Sequence, residues 1–312
     1  MGPTASGKTE LAIEIAKQLP TDLISVDSAL VYKGMDIGTA KPDAETLARY
    51  PHKLVDIRDP ADAYSAADFV DDALIAIDTA HQQGRVPILV GGSMLYFKAL
   101  FEGLDDLPAA NAQIRAEIEK RAEREGWPAL HAELQKVDPA TAARLHPHHN
   151  QRIQRALEVY RLTGKSMTEI HAQQQQQKLS KKFDVRQLAI MPSDRKILHE
   201  RIKNRLDAMF KAGFVDEVRA MYERNDLHGE LPSVRAVGYR QLWSYFDSEY
   251  DIEEAQFRAL VATRNLAKRQ LTWLRSWPKL TILYTDDASG GTVKTTDFVG
   301  QALKNLNLNQ YT

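Results

Sequence analysis

Cysteine is absent from all 312 residues, which excludes a disulfide framework, thiolate zinc sites, iron–sulfur clusters and a cysteine nucleophile. No apolar run approaches the roughly 18 residues of a membrane span, and no charged-then-apolar leader opens the chain. A strong charge of either sign is lacking too, since 41 Lys+Arg stand against 42 Asp+Glu for a formal -1. That balance excludes wholesale electrostatic adhesion to nucleic acid, although a local basic face escapes a net count. What remains is the profile of a cytoplasmic globular protein, with 43% apolar residues. The length suits about two domains and a core that needs no covalent staple.

Short, continuous, β-branched runs at 22–27, 53–57 and 86–90 read as buried parallel strands. Helical patterns lie around them at 8–19, 65–83 and 93–101, the second carrying Phe69, Ala73, Leu74 and Ile77 on one stripe. From Pro108 to Ser180 the spacing predicts helices only, at 114–125, 127–137, 139–145 and 151–162. The glutamines at 173–177 and residues 178–182 read as a flexible, low-complexity hinge. Strand character returns at 185–191 and 280–284, with long amphipathic helices at 194–212, 214–224 and 252–275. An α/β fold is expected, in which an all-helical insertion interrupts an open parallel sheet.

Gly2-Pro3-Thr4-Ala5-Ser6-Gly7-Lys8-Thr9 fits G-x-x-x-x-G-K-[ST]. The glycines let the backbone curl so that consecutive N–H groups point inward, at the positive end of the following helix. Lys8 reaches an outer phosphate, and the Thr9 hydroxyl is the candidate ligand of Mg²⁺. The expected core is therefore P-loop NTPase-like, residues 1–107 and 183–312, with residues 108–182 as the insertion. Such a loop normally follows a buried strand. Here it follows a single residue, so a truncated start is expected.

The loop specifies a diphosphate, not what carries it. A kinase or NTPase also needs an acid at a strand end for its metal, and the run 86–90 ends in Gly91-Gly92-Ser93. The D-D-x-x-D clusters by which chain-elongating prenyl synthases hold diphosphate are missing as well. A prenyl diphosphate would have to be held by the loop and by arginines. Two stretches are locally basic. Arg144, Arg152, Arg155, Arg161 and Lys165 face one acid, Glu158, with His146, His148 and His149 nearby. Arg264, Lys268, Arg269 and Arg275 face none and are interleaved with Trp273. Two basic helices in a neutral chain suit a groove that tracks phosphates.

Beyond the loop, residues 25–42 (SVDSALVYKGMDIGTAKP) resemble the bacterial tRNA dimethylallyltransferases, also called tRNA isopentenyltransferases. The likeness continues through 56–60 (DIRDP), 64–69 (YSAADF), 89–96 (LVGGSMLY), 151–158 (QRIQRALE), 201–205 (RIKNR), 233–241 (SVRAVGYRQ) and 264–273. Ser93 stands where that family usually has threonine, still a hydroxyl. The resemblance implies transfer of a dimethylallyl group from dimethylallyl diphosphate to N6 of the adenine beside the anticodon, position 37. It implies that Asp27 is the general base, at the end of a strand beside the loop, where an open α/β sheet puts reacting groups. It implies that Arg205 stabilises the leaving diphosphate, with Thr9 and Mg²⁺. RNA contacts are implied for Asp27, Ser28, Ala29, Leu30, Ser93, Arg115, Gln151, Arg152, Ile153, Gln154, Arg155, Arg235, Ala236, Val237, Gly238, Tyr239 and Arg240. The expected partners are a tRNA anticodon stem-loop, clamped by the insertion, and the prenyl diphosphate, with the chain acting as a monomer away from membranes. The alternatives are a P-loop nucleotide or small-molecule kinase and a non-catalytic RNA-binding module with a vestigial loop.

Overall fold

The computed structural model describes residues 1–103, 107–108, 110–173, 179, 182–286, 293 and 295–308. β1 (Thr21–Val26) is the centre of a parallel sheet ordered β2-β1-β3, with β2 at His52–Lys53 and β3 at Val86–Gly91. Its register pairs Ile24 with Leu89 and Val26 with Gly91. Leu23, Ile24 and Val26 are all buried. Apolar side chains on successive residues suit a strand covered on both faces. β4 (Leu188–Met191) and β5 (Thr281–Tyr284) form a second parallel pair.

Helices cover these strands. α1 (Lys8–Ala16) sets Leu11 and Ile15 against Leu188 and Ile190 of β4 and against Phe298, Val299, Ala302 and Leu303 of α14 (Thr295–Asn305). Ala12 meets Leu23 and Val90 across the other sheet. α3 (Ala66–Gln82) opens on a capping box, Ser65 with Asp68, and buries Phe69, Ala73, Ile77 and Ala80 at helical spacing. Just ahead of the loop, the Met1 nitrogen donates to the Leu188 carbonyl (2.7 Å) and the Met1 carbonyl accepts from Ile190 N (2.9 Å). The loop is thereby tied to β4.

The strand expected at 53–57 is a correction. Only His52 and Lys53 pair with β1. Leu54 and Asp56 then take left-handed backbone (φ 64° and 56°), which ends the pairing. Asp56 N and Ile57 N donate instead to the carbonyls of Leu30 and Val31, and Lys41 pairs with Asp56. Three short helices were too brief to show a period: α2 (Ala44–Arg49), α9 (Met167–Gln173) and α12 (Tyr239–Phe246). The remaining helices of this part are α4 (Met94–Glu102), α10 (Arg195–Lys211), α11 (Phe214–Tyr222) and α13 (Ile252–Ser276).

The chain divides into two compact units, one of Met1–Leu100 with Asp184–Thr312, the other of Phe101–Phe183. The second unit is helical: α5 (Ala112–Glu125), α6 (Trp127–Val137), α7 (Pro139–Arg144), α8 (Asn150–Thr163) and α9. Ile118, Leu130, Leu134, Ile153 and Leu157 form its core. Asn111 and Asp138 cap α5 and α7 through the N–H groups of Ile114 and Thr141. Most of the hinge expected at 173–182 lies outside the described residues. No helix among the described residues is long and apolar enough to cross a membrane.

Candidate active site

The loop folds as its glycines require. Ala5 (φ 60°) and Gly7 (φ 83°) are left-handed, and Gly7 caps α1 without any side-chain bond to the first N–H groups. Those donors stay available to an anion. A Cβ on Gly2 would lie 2.6 Å from the Ile190 carbonyl oxygen, so only glycine fits there. Lys8 curls back to donate to the Pro3 carbonyl (3.4 Å). Burial pushes its ammonium down to about 8, against the opposing pull of Asp27 and with the help of Arg205.

Two helices distant in sequence fix the loop. Gln270 of α13 accepts from Thr4 N (2.8 Å) and donates to the Gly92 carbonyl (2.9 Å), joining the loop to the end of β3. Arg205 of α10 donates to the Thr4 hydroxyl. It reaches the loop because Leu198, Ile202, Leu206 and Met209 bury the adjoining face of α10. Burial lowers the Arg205 pKa and Asp27 opposes that shift. An arginine placed this way is poised for anionic charge.

Asp27 follows β1 directly. Its Oδ1 accepts from Ala29 N (2.9 Å) and Leu30 N (3.4 Å), a turn that orients the carboxylate. Among the described residues no donor engages Oδ2. Ser28 N donates to Ser93 Oγ (3.0 Å), which couples this turn to the start of α4. A cavity of about 550 Å³ opens onto Thr4, Asp27, Ser28, Ala29, Ser93, Arg205 and Gln270. Its apolar lining includes Tyr32, Tyr96, Leu206, Met209, Phe214, Tyr239 and Trp273.

One wall hangs on Glu217 of α11. Its carboxylate accepts from the N–H groups of Asp36 (2.9 Å), Ile37 (2.7 Å) and Gly38 (3.0 Å) and from the Tyr239 hydroxyl (2.6 Å). Burial and this neighbouring carboxylate hold the Tyr239 phenol neutral, far above its ordinary range. A Cβ on Gly38 would sit 2.1 Å from the Phe214 ring, so the 36–38 turn lies flush on Phe214 and Tyr239.

The sequence-derived residues divide. Thr4, Asp27, Ser28, Ala29, Ser93, Arg205, Arg235, Ala236, Val237, Gly238 and Tyr239 share the cavity. Gly2, Pro3, Ala5, Ser6, Gly7, Lys8, Thr9 and Leu30 are not in its lining, and Arg240 lies on a neighbouring groove. In the helical unit, Gln151 and Arg152 are exposed on the first turn of α8. Ile153 requires a correction. Its side chain is 0% exposed in the core of that unit and has no face for RNA. Arg115 and Arg155 both bind the buried carboxylate of Glu158 (3.0 and 2.7 Å), and the buried Gln154 donates to Glu119 (2.8 Å). These three side chains serve the unit's own packing. The histidines form a local turn, His146 N donating to His149 Nδ1 (3.0 Å). Gln270 and Glu217 escaped sequence reasoning, and only Gln270 stood in a block that carried the family likeness.

The pattern of the IPP transferase family matches residues 30–277. The chain belongs to that family. Among similar solved structures is the full-length tRNA isopentenylpyrophosphate transferase of Bacillus halodurans, 36% identical over 99% of this chain and 96% of that one, with a TM-score of 0.69. The tRNA isopentenylpyrophosphate transferase of Staphylococcus epidermidis is 31% identical, over 99% and 97%, with a TM-score of 0.68. A eukaryotic dimethylallyltransferase acting on tRNA is 26% identical over 100% of this chain and 79% of that one, with a TM-score of 0.81. This IPP transferase family member is thus an enzyme, a prenyltransferase with a mixed α/β fold, and the kinase reading falls away. The family match begins after the loop and Asp27, so the case for those residues is geometric.

Proposed function

We propose that this enzyme transfers the dimethylallyl group of dimethylallyl diphosphate to N6 of adenine 37, beside the anticodon of tRNA, releasing N6-isopentenyladenosine-containing tRNA and diphosphate. The observation that carries this is the meeting of Asp27, Thr4 and Arg205 around one cavity with a large apolar lining. The core is read as P-loop NTPase-like, its loop turned to a prenyl diphosphate.

An exocyclic adenine amine is a poor nucleophile because its lone pair is delocalised into the ring. As the N6–carbon bond forms, the allylic carbon–oxygen bond breaks and its electron pair leaves with diphosphate. Asp27 takes the N6 proton through its free oxygen. Charge gathers on the leaving diphosphate, where the loop N–H groups, Lys8 and Arg205 stabilise it. Thr9 suits Mg²⁺: no other protein group engages its hydroxyl among the described residues, and this metal takes few protein oxygens beside phosphates and waters. When bound, Mg²⁺ would neutralise part of the diphosphate charge. The aromatic and aliphatic lining excludes the water that would hydrolyse an allylic cation-like centre. The adenine must leave its stack to reach the cavity, with residues 28–29, 93 and 235–239 as its surroundings and Gln151 and Arg152 of the helical unit offered to the stem. The acting form is a cytoplasmic monomer.

The test is to incubate the protein with dimethylallyl diphosphate, Mg²⁺ and unmodified tRNA, and to weigh the nucleosides after digestion. A gain of one dimethylallyl group on adenosine 37, with ATP neither needed nor consumed, is expected. Asp27→Ala should abolish turnover while tRNA still binds, and near-normal turnover would remove Asp27 from the base role.

A further inference from the structure

The run RIKNR on α10 begins with Arg201 and ends with Arg205, about 6 Å further along the helix axis. Among the described residues no carboxylate pairs with Arg205, so its aim depends on its bond to the Thr4 hydroxyl and on where α10 lies. Apolar packing fixes α10 incompletely at that point. Ile202, Leu206 and Met209 are buried, yet all three also line the cavity of about 550 Å³, so part of their face meets open space. A polar attachment lies one turn earlier. Arg201 Nη1 donates to Thr285 Oγ1 (2.8 Å), just past the end of β5. Thr285 and Asp286 are both buried there, and each has its partners. Thr285 N donates to the Met191 carbonyl (3.1 Å), which carries the β4–β5 pairing one residue further. Asp286 accepts from Ser193 N (2.8 Å) and from the Ser193 hydroxyl, two residues before α10 begins. Both Asp286 oxygens are thus engaged, and among the described residues no carboxylate pairs with Arg201. The Thr285 hydroxyl stands on a support fixed to β4, the strand that also holds the start of the loop through Met1.

We infer that Arg201 is a positioning residue for the prenyl transfer: its bond to Thr285 fixes α10 against the β4–β5 pair, to which the loop is also tied, and so sets Arg205 at the leaving diphosphate. Arg201 acts through Arg205 and touches neither substrate. A misplacement of about 1 Å costs up to about a hundredfold in rate, so one loosened helical turn is enough to be measured. The inference rests on the part that Arg205 takes in the proposed transfer.

Thr285→Val removes the acceptor while keeping the side-chain shape and the Arg201 charge, and Thr285→Ser keeps the hydroxyl. In steady-state prenylation of unmodified tRNA, Thr285→Val should lower kcat about tenfold, less than the hundredfold or more that follows outright loss of such a contact. The tRNA KM should not change. Thr285→Ser should turn over within about twofold of wild type, because the bond survives. In an Arg205→Gln background, Thr285→Val should cost nothing further, the mark of two residues that act as one. An equal loss in both backgrounds, an unchanged kcat in Thr285→Val, or a Thr285→Ser enzyme as slow as Thr285→Val overturns the inference. If the wild-type enzyme leaves tRNA unmodified, the functional reading itself fails, and the affinity for inorganic diphosphate decides the positioning role by calorimetry. Thr285→Val should then weaken that affinity about fivefold and Thr285→Ser should not, whereas equal affinity in all three proteins overturns it.

Discussion

Glu217 is the residue on which one wall of the candidate active site depends, and Glu217→Gln measures how much. Its Oε2 accepts from Asp36 N and Ile37 N, and its Oε1 from Gly38 N and the Tyr239 hydroxyl. All four partners donate to the carboxylate, so an amide keeps at least two bonds and sets its own N–H groups against one or two backbone donors, the Tyr239 hydroxyl alone being able to rotate and accept. Hydrogen bonds to a charged group contribute about 1.5–3 kcal/mol each when buried. Half-exposed N–H groups recover water, and the four bonds are not additive, which reduces the net loss to about 2–3 kcal/mol. For a unit of this size that is a fall of roughly 4–12 °C in Tm, read by calorimetry. Freed from Glu217, the 36–38 turn and Tyr239 shift from the cavity wall, and kcat/KM for the prenyl donor should fall with the same variant. Tyr239→Phe removes only one of the four bonds and should cost about 1 kcal/mol. A Glu217→Gln enzyme that melts within a degree of wild type and turns over normally would refute the account of this wall.

Other consequences can be measured directly. Lys8 holds its proton only below about 8 in the free enzyme. The pH profile of kcat/KM for dimethylallyl diphosphate should therefore descend above that pH, and Lys8→Ala should flatten the limb while lowering the whole curve. Gln270→Leu leaves Thr4 N and the Gly92 carbonyl without their partner and should cost about 2–4 kcal/mol in urea unfolding, together with a higher donor KM. If only stability changes, Gln270 does not shape the loop. Burial pushes the Glu158 carboxyl up, but bonds from Arg115, Arg155 and Asn111 N outweigh it and hold it below the ordinary 4.5. The stability it contributes is present above pH 4.5 and lost as pH falls through the lower folded value. Glu158→Gln should weaken that acid dependence in the helical CD signal, by about 2–3 kcal/mol at neutral pH, less than a wholly buried pair because Arg115 and Arg155 keep access to water.

Local demands were legible in the sequence. The glycine loop and the stripe of Phe69, Ala73 and Ile77 each concern neighbours a few residues apart, where spacing specifies backbone or face. Links between distant segments were not. Gln270 and Thr4 are 266 positions apart and Glu217 and Asp36 181, with no local pattern to announce either. Arg205 shows the same limit, because its neighbour Asp207 suggests a surface pair. In the fold Asp207 is taken by Lys203 (2.6 Å), and Arg205 turns to Thr4. The strand expected at 53–57 failed because an apolar run does not reveal left-handed residues within it.

Charge counting misled for a physical reason that bears on RNA recognition. The basic stretch around α8 reads as uncommitted against a single acid, yet that acid is Glu158, fully buried and bound by Arg155 of the stretch and by Arg115 of α5. A buried carboxylate claims its cations, since leaving it unpaired costs several kcal/mol, so Arg115 and Arg155 cannot turn to phosphate without destabilising the helical core. Arg152 remains free there among the described residues, and Arg161 leans on Glu133 (3.3 Å). By the same criterion Arg240 and Arg269 keep their charge available, because the one acid of their groove is already held by Arg258. What leaves a cation free for an outside anion is therefore not its presence in a basic run but the absence of a buried acid within its reach, and by that criterion Arg115 and Arg155 are committed while Arg240 and Arg269 are not.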